Sequence, residues 1–244
     1  MPSSRVLCLY GAKGGIGKTT LAINLAGVLA NMNKSVLIID LNQLNGDIAV
    51  SLDRKPHQTI AALAAAIKTE KYQGLLPYLT KYNQYISFLA APAVLMPAEM
   101  LDAEVINKIL DEAAALFEVV IIDMSHAYND VNLAALKRAD KNLFVTTNNP
   151  LTLKNTRNVL SLLKEAGVRN IEVLLNNSIH PNHDYFVLYD IKNIIQAHID
   201  YIISQRFYYP DIDLVTVAGE ILTLKSRKWP DYKIFTLIIE SLLK

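Results

Sequence analysis

The amino-acid sequence predicts an α/β fold, a largely parallel central sheet with helices on both faces, formed as a single domain. Two observations predict it. Short apolar, β-branched runs alternate with longer segments of helical period, and 244 residues of 52% hydrophobic and 19% charged composition suffice to bury a substantial core. Strands are expected at 5–10, 35–40, 85–90, 119–123, 141–147 and 171–176, with a weaker one at 199–203. Helices are expected near 19–32, 59–68, 98–117, 130–138, 151–166, 187–196 and 231–243. The alanine-rich run 61–66 reads as a helix with small packing residues. Pro97 and Glu99 suit the opening of the 98–117 helix. The last helix is too apolar and too poor in basic residues to lie on a membrane surface, so it is expected to pack on the core.

In such a sheet, ligands collect at the carboxyl ends of the strands. The first strand runs into Gly11-Ala12-Lys13-Gly14-Gly15-Ile16-Gly17-Lys18-Thr19-Thr20 and then a helix. A strand, a glycine-rich turn and a helix in that order make a phosphate cradle, the P-loop. Backbone N–H groups of 14–20 point at the phosphates, Lys18 supplies a cation, and the Thr19 hydroxyl is placed to hold Mg²⁺. The helix dipole favours the same anion. ATP and Mg²⁺ are therefore the expected cofactors. Val119-Val120-Ile121-Ile122-Asp123 is an apolar strand ending in a carboxylate, suited to binding Mg²⁺ directly or through water. Val36-Leu37-Ile38-Ile39-Asp40 has the same shape, which makes Thr19, Asp40 and Asp123 the candidate metal-binding residues.

Lys13 directly before Gly-Gly resembles the deviant Walker A loop of the MinD/ParA superfamily of P-loop ATPases, although Ala12 stands where the general pattern has a leading glycine. The resemblance implies a slow ATPase that forms an ATP-dependent homodimer, with Lys13 reaching the partner's nucleotide. Asp40 then opens the first switch region, where the family usually carries a second acid two residues on to orient the attacking water. This chain has Asn42. An amide hydrogen-bonds a water but cannot take its proton, so slow hydrolysis is expected. Asp47 could substitute, although it equally suits the N-terminus of a short helical turn. The resemblance further implies that Asn176 reads the adenine edge and that a loop at Tyr208-Tyr209-Pro210-Asp211 closes over the base, with Pro210 among the nucleotide-binding residues.

The segments 40–52 and 89–99 and Asn155 are similar to the CpaE/TadZ branch, the pilus-assembly localisation ATPases. That likeness implies an unidentified protein partner in pilus, secretion or similar positioning machinery. The alternatives are a ParA-type DNA partition ATPase and a MinD-like membrane-cycling regulator. With 24 Lys+Arg against 23 Asp+Glu, the net charge of +1 gives no global field to recruit DNA. Cys8 is the only cysteine, which excludes an intramolecular disulfide and the cysteine pairs of an iron–sulfur scaffold. With no secretory signal pattern and no membrane-spanning run, a cytoplasmic location is expected. His180 and His183 fall in a loop and lack a convincing third metal ligand. The aromatic-rich 185–209 stretch is read as packing, and Lys225, Arg227 and Lys228 as a solvated loop.

Overall fold

The computed structural model describes residues 4–42, 46–69, 71–92, 100–177, 185–209 and 212–244, with the side chain of Asp213 left aside. Eight strands form one sheet: β1 (Arg5–Tyr10), β2 (Val36–Asp40), β3 (Thr80–Lys81), β4 (Ile86–Leu89), β5 (Val119–Asp123), β6 (Lys141–Thr146), β7 (Ile171–Asn176) and β8 (Tyr201–Ile203). Their order is β3-β4-β2-β5-β1-β6-β7-β8, parallel throughout except for the antiparallel β3–β4 pair. Strand β3 was not expected. Two residues are too few to carry an alternating pattern.

The β1, β5 and β7 bounds coincide with those read from the sequence, because each is an apolar run cut off by a polar or glycine residue. Ten α-helices appear among the described residues: α1 (Lys18–Asn31), α2 (Asp47–Ser51), α3 (Ile60–Lys68), α4 (Ala103–Leu116), α5 (Asp130–Arg138), α6 (Pro150–Glu165), α7 (Leu188–Ile195), α8 (Ile212–Val217), α9 (Leu222–Lys225) and α10 (Tyr232–Leu243). Helix α4 starts later than expected because Asp102 caps it, its carboxylate accepting from Val105 N–H at 2.9 Å. The Pro97 and Glu99 opening lies outside the described residues.

Alternate side chains of β1 enter two cores. Val6, Cys8 and Tyr10 join α3, α4, α5, α6 and α7 on one face. Leu7 and Leu9 join α1, α2, α9 and α10 on the other. Buried runs on both sides explain why the parallel strands read as continuous apolar stretches. Cys8 is fully buried, and desolvation pushes its thiol far above the ordinary range, so it serves as a small hydrophobe.

Helix α1 carries the phosphate loop at its N-terminus and is gripped near its middle by α9. A Cβ on Gly27 would meet Thr223 Oγ1 at 2.4 Å, Ile221 Cγ2 at 2.6 Å and Leu224 N at 3.0 Å. Thr223 Oγ1 donates to Asn24 O at 2.6 Å, and Thr223 N–H donates to Asn24 Oδ1 at 3.1 Å. Only glycine permits this close approach.

Candidate functional site: a phosphate loop at the carboxyl edge

The sheet register brings the acids together. Asp40 pairs with Asp123 across β2 and β5, and Leu9 pairs with Asp123 across β1 and β5. The loop after β1 therefore emerges beside both carboxylates, next to a cavity of about 360 Å³. Gly14, Gly15, Gly17, Lys18, Thr19 and Thr20 line one side, and Asn42, Asp47, Val50, Ser51, Asp123, Ser125 and His126 complete it. The loop follows the expected form, with Gly15 (φ 71°) and Gly17 (φ 87°) in the left-handed region.

Lys18 is largely buried, and its Nζ donates to the Lys13 carbonyl at 3.3 Å. Desolvation lowers its pKa, opposed by the negative charges of Asp123 and Asp47. Thr19 Oγ1 donates to Asp123 Oδ2 at 2.5 Å. The other oxygen, Asp123 Oδ1, is buried with no hydrogen-bond partner. Burial pushes the Asp123 pKa to about 6, against the opposing Thr19 hydrogen bond and the Lys18 charge. A buried carboxylate with an orphaned oxygen, beside a hydroxyl and a lysine, fits a hard cation held with phosphate oxygens. Thr19 and Asp123 are the residues present that suit Mg²⁺.

Asp40 departs from its expected place. It is fully buried and does not line the cavity. Its Oδ1 accepts Asn42 N–H at 2.9 Å and its Oδ2 accepts Ile48 N–H at 3.2 Å, so the carboxylate ties down both ends of the 41–48 connection. Desolvation, followed by the charge of Asp123, pushes its pKa to about 8. Asn42 does face the cavity, and so does Asp47 at the first turn of α2. Gly46, before Asp47, is the N-cap position of α2 and has no side chain to give, so the first-turn N–H of Ile48 is met by Asp40 Oδ2 instead.

Lys13 is exposed at the rim. Ile16 turns its side chain into the core, 3% exposed. Asn176 is fully buried and lies off the cavity: its Nδ2 donates to Ile16 O at 2.9 Å and its Oδ1 accepts from Tyr208 O–H at 2.7 Å. Each end of the amide thus makes one hydrogen bond within the protein, which leaves one N–H and one lone pair of the group over. Pro210, His180 and His183 lie outside the described residues.

Sequence reading missed Ser125 and His126, which follow Asp123 without a motif of their own. Asn132 Nδ2 holds this loop by donating to Ser125 Oγ at 3.0 Å and to Ala127 O at 2.7 Å. The 185–209 stretch only partly packs. Ile191 and Phe207 are buried, whereas Tyr185, Tyr189 and Tyr209 are all more than half exposed, so the packing expectation fails for those three aromatic residues.

A family model described as an AAA domain, AAA_31, matches residues 4–180, which span the phosphate loop, both strand-ending aspartates and Asn176. The chain belongs to the MinD/ParA family of P-loop ATPases. It is 24% identical over 177 residues to the septum site-determining protein MinD of Synechocystis, covering 71% of this chain and 64% of that relative. The chain thus spans somewhat under two thirds of the length of that curated relative. Among solved structures, a ParA family ATPase from Chlorobium tepidum superposes with a TM-score of 0.85 at 21% identity, over 98% of this chain and 100% of that one. The MinD of Pyrococcus horikoshii complexed with Mg-ADP superposes with a TM-score of 0.78 at 19% identity, over 98% and 95%. These likenesses bear out the α/β fold.

Proposed function

We propose that this protein binds ATP with Mg²⁺ in the cavity beside Lys18 and uses the bound nucleotide to close a homodimer. The observation that carries this reading is the convergence of the glycine loop, buried Lys18 and the Thr19–Asp123 pair around one cavity. Backbone N–H groups of 14–20 cradle the phosphates and Lys18 offsets their charge. Bound Mg²⁺ would neutralise charge on the outer phosphates, held by Thr19 and the orphaned oxygen of Asp123. The Mg-ADP bound by the Pyrococcus MinD agrees with this choice of ligands.

Lys13 supports the dimer reading, since it is exposed at the rim and free to reach outward. A contact from Lys13 to the partner's γ-phosphate exists with ATP and not with ADP, and that difference shifts the monomer–dimer equilibrium. Asn42 in the cavity makes hydrolysis slow, so the protein acts as a persistent switch that positions cargo. The sequence likeness of 40–52 and 89–99 to CpaE/TadZ proteins supports pilus or secretion machinery as that cargo; a net charge of +1 favours a protein partner over DNA.

Calorimetry tests the site. Lys18→Ala removes a charge-assisted phosphate contact worth about 1.5 to 3 kcal/mol, a loss of about ten- to a hundredfold in ATP affinity. Equal affinities of wild type and variant refute the assignment. Sedimentation tests the dimer: the wild type should dimerise with ATP and not ADP, and Lys13→Ala should remain monomeric with either. An ATP dimer that survives the loss of Lys13 removes the bridging role.

A further inference from the structure

The loop after β5 brings an imidazole to the phosphate cavity. His126 lines that cavity, and its Nδ1 lies 3.8 Å from where a Cβ on Gly14 would stand. Lys18 Nζ donates to Lys13 O at 3.3 Å, so the ammonium that meets the outer phosphates sits at the same Lys13–Gly14 end of the glycine loop. The imidazole therefore flanks the place of the terminal phosphate.

The main chain around His126 is held from beneath. Asn132 of α5, 2% exposed, donates Nδ2–H to Ala127 O at 2.7 Å and to Ser125 Oγ at 3.0 Å. Tyr10 of β1, also 2% exposed, shares its O–H between His126 O at 3.2 Å and Ala127 O at 3.1 Å. Tyr10 is itself fixed edge-on against Phe144, with ring centroids 5.9 Å apart. Two buried side chains thus anchor the inner side of this loop, and the exposed His126 side chain is left to face the cavity. An anchored segment places a reacting group at low entropic cost.

Among the described residues that line the cavity, Asp47, Asp123 and His126 are the groups able to take a proton from a water. Asp123 is committed to the Thr19 hydroxyl and to the cation. Asp47 lends its negative charge to Lys18 and would forfeit that attraction on taking a proton. The imidazole has neither commitment. Uncharged, it brings no like charge against the phosphate, and once protonated its positive charge is favoured by the phosphate beside it.

We propose that His126 is a catalytic residue of ATP hydrolysis, the acceptor of the proton that Asn42 cannot take from the attacking water. The water oxygen forms a bond to the γ-phosphorus, and the bond from that phosphorus to the β,γ-bridging oxygen breaks with its electron pair left on ADP. The water's proton passes to the imidazole, which returns it to solvent. The proposal rests on the nucleotide-binding reading above and adds the group that moves the proton.

Single-turnover phosphate release and ATP affinity, both with Mg²⁺, are measured for the wild type, His126→Ala and His126→Gln, with and without free imidazole. The substituted side chain is exposed and the loop is anchored through its main chain and Ser125, so both variants should melt with the wild type. A general base contributes about 10² to 10⁴-fold, so both should release phosphate at least about tenfold more slowly while binding ATP as the wild type does. Glutamine still hydrogen-bonds a water but takes no proton, so it should be no better than alanine. Free imidazole should enter the space vacated in His126→Ala and recover part of the rate, leaving the wild type unaffected. Release at the wild-type rate from either variant overturns the proton-accepting role. So does a loss of rate matched by a loss of ATP affinity, or a slowed His126→Ala that imidazole does not speed. A wild type that binds ATP and releases no phosphate overturns the proposal and leaves the nucleotide-binding reading standing; a wild type that binds no ATP overturns that reading, and the proposal with it.

Discussion

Replacing Gly17 by alanine perturbs two things that can be separated by comparison with Gly15. Both glycines sit at positive φ, 87° and 71°, where an L-residue costs roughly 1 to 2 kcal/mol. Around Gly15 the space is open, with no atom within 4 Å of an added Cβ. At Gly17 the new methyl meets Asn176 Nδ2 at 2.5 Å. That atom terminates a side chain, but the side chain is fully buried and bonded at both ends, so it can yield only by giving up its bond to Ile16 O. Leaving a buried carbonyl unpaired costs about 1 to 3 kcal/mol more. Gly15→Ala should therefore lose about 1 to 2 kcal/mol of stability and Gly17→Ala about 2 to 5. Urea unfolding of the nucleotide-free proteins measures both, with slopes checked for constancy. In an Asn176→Ala background the clash partner is gone, and the gap between the two substitutions should close. Equal losses at Gly15 and Gly17 in the wild-type background, or a gap that persists without Asn176, refute the reasoning.

Three other outcomes follow from the site. Asn42→Asp should speed single-turnover phosphate release, since a general base contributes about 10² to 10⁴-fold and even a fraction of that is measurable; an unchanged rate, with release abolished by Asp47→Asn, would transfer the role to Asp47. Asp40 and Asp123 have folded pKa values raised to about 8 and about 6, above the ordinary carboxylate value, so the stability they confer is present at low pH and lost as pH rises through 6 and 8. The nucleotide-free protein should thus melt at a higher temperature at pH 5 than at pH 8.5, and Asp40→Asn should flatten the slope; a melting temperature that climbs over that interval contradicts the assignment. Asp123→Asn should weaken the Mg²⁺ dependence of ATP binding while leaving Mg²⁺-free ATP binding near the wild-type value, and calorimetry with and without chelator distinguishes this from a general loss of affinity.

The sequence disclosed those parts of the fold whose signals are local. Apolar runs closed by Asp123 or Asn176 mark β5 and β7 to the residue, because a fully buried strand must be apolar along its whole length. The phosphate loop was legible for the same reason: its glycines, lysine and threonine are contiguous. Contacts between distant segments left no such trace. The Asn176–Tyr208 bond joins residues 32 apart, and nothing in either local pattern shows that the amide turns toward Ile16. Asp40 reads as a metal ligand because it ends a strand, and nothing local shows that its oxygens also accept the N–H groups of Asn42 and Ile48. Helices α8 and α9 are too short to show a period, and the start of α4 is set by one capping side chain that a proline upstream outweighed in the reading.

The grip of Thr223 on α1 bears on the order in which this chain becomes competent. Asn24 and Thr223 are 199 residues apart, and their hydrogen bonds close nearly the full length of the chain. Contacts of such long separation form late, since the entropy of closing the loop must be overcome before they stabilise anything. During synthesis, β1 and the glycine loop are made well before the residues that fill the notch at Gly27. Until they arrive, one flank of α1 is bare, and the helix that aims its N-terminus at the phosphates has no backstop. Nascent chains should therefore hold nucleotide weakly, and tight binding should switch on only when α9 has docked. The helix that carries the phosphate loop thus takes its backstop from a residue made 199 positions after Asn24.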